Sequence, residues 1–340
     1  MGDVTTIGLD LAKSVFQAHG ADASGDVVFR KKLRRDDVLA FFAAQPACLV
    51  AMEACASAHH WSRELAALGH EVRLIPPAYV KPFVKRQKND MADAEAICEA
   101  AQRPTMRFVA TKSAEAQGAA VIFRTRDLLV RQRTQLINAL RGHLGEFGYI
   151  ARQGAGHSAR LVEVVRDPGS DLPVEARAVL LVIVEALEAL HAKVSALDRA
   201  IAARARQNEV ARRLMTIPGV GPVVATAMVA LAPPASTFRR GRDFAAWLGL
   251  TPRQHSSGGK ERLGRTSKMG ERSLRRLLIL GASSAARIAA RTGAKDPWLE
   301  RMLARKPRML VTIALANKMA RIVWALMARG GSYRAPARAV

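Results

Sequence analysis

Four carboxylates in the N-terminal third could do chemistry together: Asp10, Glu53, Asp90 and Asp93. Asp10 ends the apolar, β-branched run Val4-Thr-Thr-Ile-Gly-Leu-Asp10, and Glu53 ends a second, Cys48-Leu-Val-Ala-Met-Glu53. Asp90 and Asp93 stand at i,i+3 in Lys88-Asn-Asp-Met-Ala-Asp-Ala-Glu95, which reads as the first turn of a helix, so both can address one point. Four converging carboxylates repel one another unless cations neutralise them, and hard divalent cations with oxygen ligands do so. The chemistry this suits is Mg²⁺-dependent phosphodiester displacement, in which two ions roughly 3.5–4 Å apart serve the attacking and the leaving oxygen. A lone Asp is far more often a cap or a surface charge. Two strand-end acids together with an i,i+3 pair are a different matter. Glu95, two residues past Asp93, faces away and is left out.

A second candidate lies downstream. Ser256 and Ser257 occupy the loop Thr251-Pro-Arg-Gln-His-Ser-Ser-Gly-Gly-Lys260, with Arg253, Lys260 and Arg262 around them. A serine hydroxyl can attack a phosphodiester if nearby cations stabilise its deprotonation and the developing charge. Alone, such a loop is a flexible linker; its weight comes from the acids upstream. It lies in the densest charge imbalance of the chain. Arg239, Arg240, Arg242, Arg253, Lys260, Arg262, Arg265, Lys268, Arg272, Arg275 and Arg276 are opposed only by Asp243, Glu261 and Glu271. Such a stretch implies a nucleic-acid face rather than a solvated helix. Just before it, Arg212-Arg-Leu-Met-Thr-Ile-Pro-Gly-Val-Gly-Pro222 predicts a helix-hairpin-helix. Its Gly219-Val-Gly221 turn can offer backbone N–H groups to a phosphate. The plainer alternative is an ordinary αα turn.

The whole chain, 340 residues, carries 53 Lys and Arg against 29 acids, a net charge of +24. That excess favours a polyanionic partner. Aromatics at 5% argue against a stacking platform for single-stranded bases. Cys48, Cys55 and Cys98 show neither metal-ligand spacing nor a disulfide framework, as in a reducing cytoplasm. No signal-like N-terminus and no uninterrupted apolar span argue for a membrane.

The elements that must position these groups follow from periodicity. Strands are predicted at Val4–Leu9, Ser14–Ala21, Val27–Leu33, Cys48–Met52 and Glu71–Ile75, and helices at Asp36–Gln45 and His59–Leu68. Three strands followed by helix, strand, helix, strand is the element order of a ribonuclease-H-like domain, here 1–110. Residues 111–205 are helical, and Leu180, Ile183, Leu187, Leu190, Val194, Leu197 and Ile201 form a heptad stripe that suits either a coiled-coil arm for dimerisation or a packed core helix. A mostly helical domain follows over 206–330, with Pro297–Leu326 helical and amphipathic, and 331–340 is expected to be a disordered tail. The fold class is thus α/β plus α. Ile7-Gly-Leu-Asp-Leu-Ala-Lys13 also suits the first phosphate loop of sugar-kinase and actin-like ATPases, but the further Gly-rich motifs they need are missing between 100 and 300.

Taken together, these residues resemble the DEDD insertion-sequence transposases of the IS110 family, in its IS1111 branch. The likeness covers nearly the whole chain. Gly8-Leu-Asp10, Met52-Glu-Ala54 and Lys88-Asn-Asp-Met-Ala-Asp-Ala94 are similar to the family's RuvC-like nuclease motifs. Ile217-Pro-Gly-Val-Gly221, Gly249-Leu-Thr-Pro-Arg-Gln-His-Ser-Ser-Gly-Gly-Lys260, Arg262-Leu-Gly264 and Leu274-Arg-Arg276 resemble its C-terminal transposase domain. The resemblance implies a metal-binding tetrad of Asp10, Glu53, Asp90 and Asp93, a nucleophile at Ser257 and a covalent serine–DNA intermediate. It further implies a guide RNA encoded in the element, double-stranded DNA as substrate, and dimers or tetramers in which one chain's acids complete the site around another's serine. A cytoplasmic, nucleoid-associated protein is expected. The competing expectations are a RuvC-like junction resolvase that uses water in place of Ser257, and a nucleic-acid-binding protein without catalysis.

Overall fold

Five short apolar runs pair into one mixed sheet: β1 (Thr6–Asp10), β2 (Val15–Ala21), β3 (Val27–Arg34), β4 (Leu49–Glu53) and β5 (Glu71–Ile75). Their order across the sheet is β3-β2-β1-β4-β5, with β1/β2 and β2/β3 antiparallel and β1/β4 and β4/β5 parallel. The computed structural model describes residues 3–85, 89–152, 154–292 and 296–335. It divides into two units, Met1–Gln117 and Gly118–Val340.

Alternation along the strands sorts side chains to the two faces of the sheet. Ile7, Leu9, Phe16, Ala18 and Leu33 point to one face, where Val38 and Phe42 of α1 (Val38–Ala43) and Trp61 and Leu65 of α2 (Ala58–Ala67) close over them. A single turn, α3 (Pro77–Val80), follows β5. The opposite face carries α4 (Asp90–Ala101), whose Ala96, Ile97 and Ala100 pack with Ala51 and Ile75. This sheet with helices on both faces is compatible with a ribonuclease-H-like domain.

The second unit is helical apart from one hairpin. Its elements are α5 (Ala114–Glu146, which starts just before the unit boundary), α6 (Ser158–Arg166), α7 (Val174–Gln207), α8 (Glu209–Leu214), α9 (Pro222–Leu231), α10 (Gly241–Trp247), β6 (Pro252–Gln254), β7 (Leu263–Thr266), α11 (Arg272–Thr292), α12 (Pro297–Arg305) and α13 (Arg308–Arg329). The predicted stripe of α7 is real: Leu180, Leu187, Val194 and Ile201 are buried, and Ile183, Leu190 and Leu197 are half-buried. The chain covers it with its own helices. Phe123 of α5 clusters with Ile201, Leu140 and Leu144 cluster with Leu180 and Val184, and Arg126 pairs with Asp198 at 2.5 Å. These contacts make α5 and α7 antiparallel neighbours within one chain.

The helical stretch over Pro297–Leu326 is divided into two helices, because Pro307 has no N–H to continue a ladder and disfavours helical backbone at Lys306, which is extended (φ −131, ψ 148). The chain past Gly330 is held at its start: Tyr333 packs against the core and its N–H donates to Thr216 Oγ1 at 2.8 Å. Residues 336–340 of the expected tail lie outside the described residues. Among the described residues one helix, α13, is long and apolar enough to cross a membrane by length and composition. Its Val311, Ala316, Met319, Ala320 and Val323 are the centre of the unit's core, packed with Leu274, Leu278 and Ala282 of α11.

Candidate functional site

Adjacent parallel strands deliver the first two acids. Leu9 is in register with Met52, and one residue further on stand Asp10 and Glu53, each the last residue of its strand. The other two come from α4, whose first turn is fixed by Asn89: its Oδ1 accepts the Ala92 N–H at 2.7 Å. Lys88, the start of that motif, lies outside the described residues. What brings helix to strand is Gly8. A Cβ at this position would lie 2.2 Å from the Ala94 carbonyl oxygen and 2.6 Å from the Cys98 nitrogen, so α4 lies with its backbone directly on β1. Gly8 and Asp10 share a face, and the helix seated on the glycine carries Asp90 and Asp93 to the aspartate.

The outcome is a cluster in which one carboxylate oxygen each from Asp10, Asp90 and Asp93 lies within 4.8 Å of the others. Glu53 stands beside it, outside that tightest set, yet its charge still acts on Asp10. Glu95 is elsewhere, as its spacing predicts, bonded to Lys85 Nζ at 2.5 Å and Arg30 at 3.2 Å. Burial pushes the Asp10 carboxyl up to about 6, with further upward contributions from Asp93, Asp90 and Glu53. A donor set made only of carboxylate oxygens, with Asp10 and Asp93 half-buried and Asp90 exposed, fits a hard divalent cation.

The sign of the resulting pH dependence is fixed. The folded value of Asp10 lies above the ordinary 3.8, so with no divalent cation bound its contribution to stability is greatest below 3.8 and is lost as pH rises through about 6. Asp10→Asn, which removes the charge and keeps the shape, is therefore expected to raise Tm at pH 8 in EDTA. Any Tm increase that a divalent cation gives the wild type should be lost in the same variant. Differential scanning calorimetry with and without the ion reads both effects.

The serine loop is a β-hairpin rather than a linker. Strands β6 and β7 pair antiparallel, Ser257 and Lys260 bridge at the tip, and Lys260 N–H donates to the Ser257 carbonyl at 3.1 Å. Gly258 (φ 57) and Gly259 (φ 75) occupy the two central turn positions, which require left-handed backbone. The two serines differ. Ser256 Oγ accepts the Arg262 N–H at 3.1 Å and braces the hairpin, whereas among the described residues nothing hydrogen-bonds the exposed Ser257 hydroxyl. Arg253, Lys260, Arg262 and Arg265 are exposed along the same hairpin.

Not every basic residue singled out from the sequence faces solvent. Arg239, Arg240, Lys268, Arg272 and Arg276 do, although Arg240 pairs with Asp243 at 3.4 Å and Arg276 with Asp127 of α5. Arg275 does not: it is 9% exposed, and its guanidinium donates to the carbonyls of Leu248 at 3.0 Å and Met269 at 2.5 Å. Burial pushes its pKa down. Leu248 and Met269 are on the two limbs at the hairpin's root, so Arg275 clamps that root instead of meeting a ligand. Arg275→Met should cost about 1–3 kcal/mol by orphaning buried carbonyls. In urea titrations the midpoint should fall, while the salt dependence of DNA binding stays at the wild-type slope. Gly219, too, has a packing role: a Cβ there would lie 2.4 Å from the Gly281 carbonyl oxygen of α11. Gly221 is open, at the exposed N-cap of α9.

Comparison with known proteins places both halves of this arrangement in one family. Residues 7–148, which hold all four acids, match the DEDD_Tnp_IS110 profile, described as "Transposase". Residues 211–296, which hold Ser257, match the profile described as "Transposase IS116/IS110/IS902 family". Over 98% of its length the chain is 51% identical to a Pseudomonas aeruginosa protein named "Probable family 20 transposase", covering 99% of that protein. It is 38% identical to the transposase for insertion sequence element IS1328 of Yersinia enterocolitica, over 97% of the chain and 98% of that relative. Identity is also 38% to the transposase for insertion sequence element IS1111A of Coxiella burnetii, over 98% of the chain and 92% of the relative. By profile and by near-full-length identity, the chain belongs to the IS110 family of insertion-sequence transposases and is a DNA transposase.

Proposed function

We propose that the chain cuts and rejoins DNA at Ser257, with Mg²⁺ held by Asp10, Glu53, Asp90 and Asp93, two ions to a site. The observation that carries this is the convergence of Asp10, Asp90 and Asp93 within 4.8 Å at the end of a strand, beside Glu53. When bound, the ions supply charge neutralisation at the reacting phosphate. The remaining work belongs to the chain. Ser257 Oγ attacks phosphorus and loses its proton, the P–O bond to the leaving strand breaks, and that strand departs as an alcohol once protonated. Lys260, paired with Ser257 across the hairpin tip, and the exposed Arg253 and Arg262 on the same hairpin would offset the growing negative charge. A strand hydroxyl then attacks the serine–phosphate ester, forms the new phosphodiester and releases the serine. The exposed hairpin tip, its free hydroxyl and its flanking cations support this role for Ser257.

The family resemblance supports three further parts of the reading: a guide RNA from the element that pairs with donor and target DNA, a homo-oligomer up to a tetramer, and a site completed between protomers. If base pairing reads sequence, the protein needs mainly backbone contacts, and the exposed cations Arg239, Arg240, Arg262, Arg265, Lys268, Arg272 and Arg276 suit that. The direct test incubates the protein with end-labelled element-end DNA and Mg²⁺, then resolves the products on a denaturing gel. A labelled band at the mass of protein plus DNA, absent in EDTA, is the expected result. Mg²⁺-dependent cutting with no such band would instead identify a resolvase that uses water.

A further inference from the structure

We infer that the sheet extends the carboxylate site into a binding track for the backbone of the DNA strand being cut, formed by Gln17 on β2 and by Lys32 and Arg34 on β3. This rests on the reading of the acids given above. Strand register makes the row. Asp10 pairs with Gln17, Gln17 pairs with Lys32, and Arg34 pairs with Val15 at the end of β2. Cross-strand partners share a face, so Asp10, Gln17 and Lys32 stand in line, Gln17 about 5 Å and Lys32 about 10 Å from Asp10 at one strand spacing each.

The face they share is the one that carries α4. In the neighbouring row Gly8 pairs with His19 and His19 with Arg30; Gly8 lies under Ala94, and Arg30 bonds Glu95 of the same helix. The intervening residues Phe16, Ala18 and Leu33 belong to the core on the other face. Two features of the row point to a ligand. Gln17 is only 6% exposed, yet among the described residues nothing hydrogen-bonds its amide. Lys32 and Arg34 are exposed and make no ion pair among the described residues, while Arg30 is occupied by Glu95. An amide on a largely buried residue beside the acids, followed by two exposed cations, suits a polymeric anion whose successive phosphates run outward from the reacting one. The Gln17 N–H₂ would donate to a non-bridging oxygen next to that phosphate, and Lys32 and Arg34 would meet those beyond it.

The test uses the full-length chain, a labelled single-stranded DNA oligonucleotide and an RNA of the same sequence. Binding is measured against salt with Ca²⁺ in place of Mg²⁺ to prevent cutting. Lys32→Ala and Arg34→Ala should each flatten the plot of log K against log salt for DNA by about 0.7 for each phosphate no longer neutralised, and Lys32→Arg should restore it. Gln17→Leu, similar in volume, should weaken DNA binding about fivefold without changing the slope. All of these variants should keep the wild-type rise in Tm on adding Mg²⁺. Wild-type affinity and slope in Lys32→Ala and Arg34→Ala would overturn the track, as would a loss confined to the RNA. A wild type whose Tm does not respond to Mg²⁺ would reject the reading of the acids instead, a result independent of the slopes.

Discussion

Ser257→Ala is expected to abolish the covalent protein–DNA band and to lower strand transfer by at least about 10³-fold, because removal of a nucleophile leaves only binding and charge stabilisation. DNA affinity should stay within about twofold, since an exposed serine hydroxyl adds little to a binding face dominated by charge. The neighbouring residue is the internal control. Ser256→Ala removes the bond to the Arg262 N–H that braces the hairpin, a loss of about 0.5–1.5 kcal/mol, so the band should persist at reduced yield. Denaturing electrophoresis of the two variants side by side decides the matter. A normal band from Ser257→Ala would remove the serine from the mechanism.

The second large effect is expected at a residue with no side chain. Gly8→Ala would put a methyl group 2.2 Å from the Ala94 carbonyl oxygen and 2.6 Å from the Cys98 nitrogen. Both are backbone atoms of a helix and cannot rotate aside, so α4 must lift from the sheet, taking Asp90 and Asp93 away from Asp10. Overpacking of this kind costs about 1–3 kcal/mol in stability. The functional loss should be larger: at least about 10²-fold in cleavage, as expected when catalytic groups are displaced by about 1 Å. Titration calorimetry with Mn²⁺ should find ion binding weakened in parallel. Unimpaired ion binding in a folded Gly8→Ala protein would show that the helix does not depend on this contact to hold its aspartates in place.

The sheet was legible because its strands end where their apolar runs end. Val4–Leu9 and Cys48–Met52 each stop at an acid, and parallel pairing then sets Asp10 beside Glu53. The i,i+3 spacing of Asp90 and Asp93 was equally direct, since Asn89 caps the helix one residue earlier. What the sequence did not announce depends on tertiary contact. Nothing local in Gly8 distinguishes a turn glycine from one under a helix. The hairpin of Pro252–Gln254 and Leu263–Thr266 escaped because its residues are almost all exposed and show no apolar alternation. Arg275 looks like its exposed neighbours in the sequence because composition cannot separate a guanidinium in solvent from one spent on two carbonyls. The stripe on α7 does not say what covers it: Leu180, Val184 and Ile201 cluster with Phe123, Leu140 and Leu144 of α5, a helix well beyond the reach of a local pattern.

The contact between Gly219 and Gly281 sets a limit on engineering. A common route to a hardier protein is to replace helical glycines with alanine, which gains about 1 kcal/mol in an exposed helix. At Gly281 the added methyl would meet the Gly219 carbonyl oxygen at 2.2 Å. Thermostabilisation by that recipe should therefore backfire here, and α11 keeps an intrinsically weak link so that the turn before α9 can rest against it.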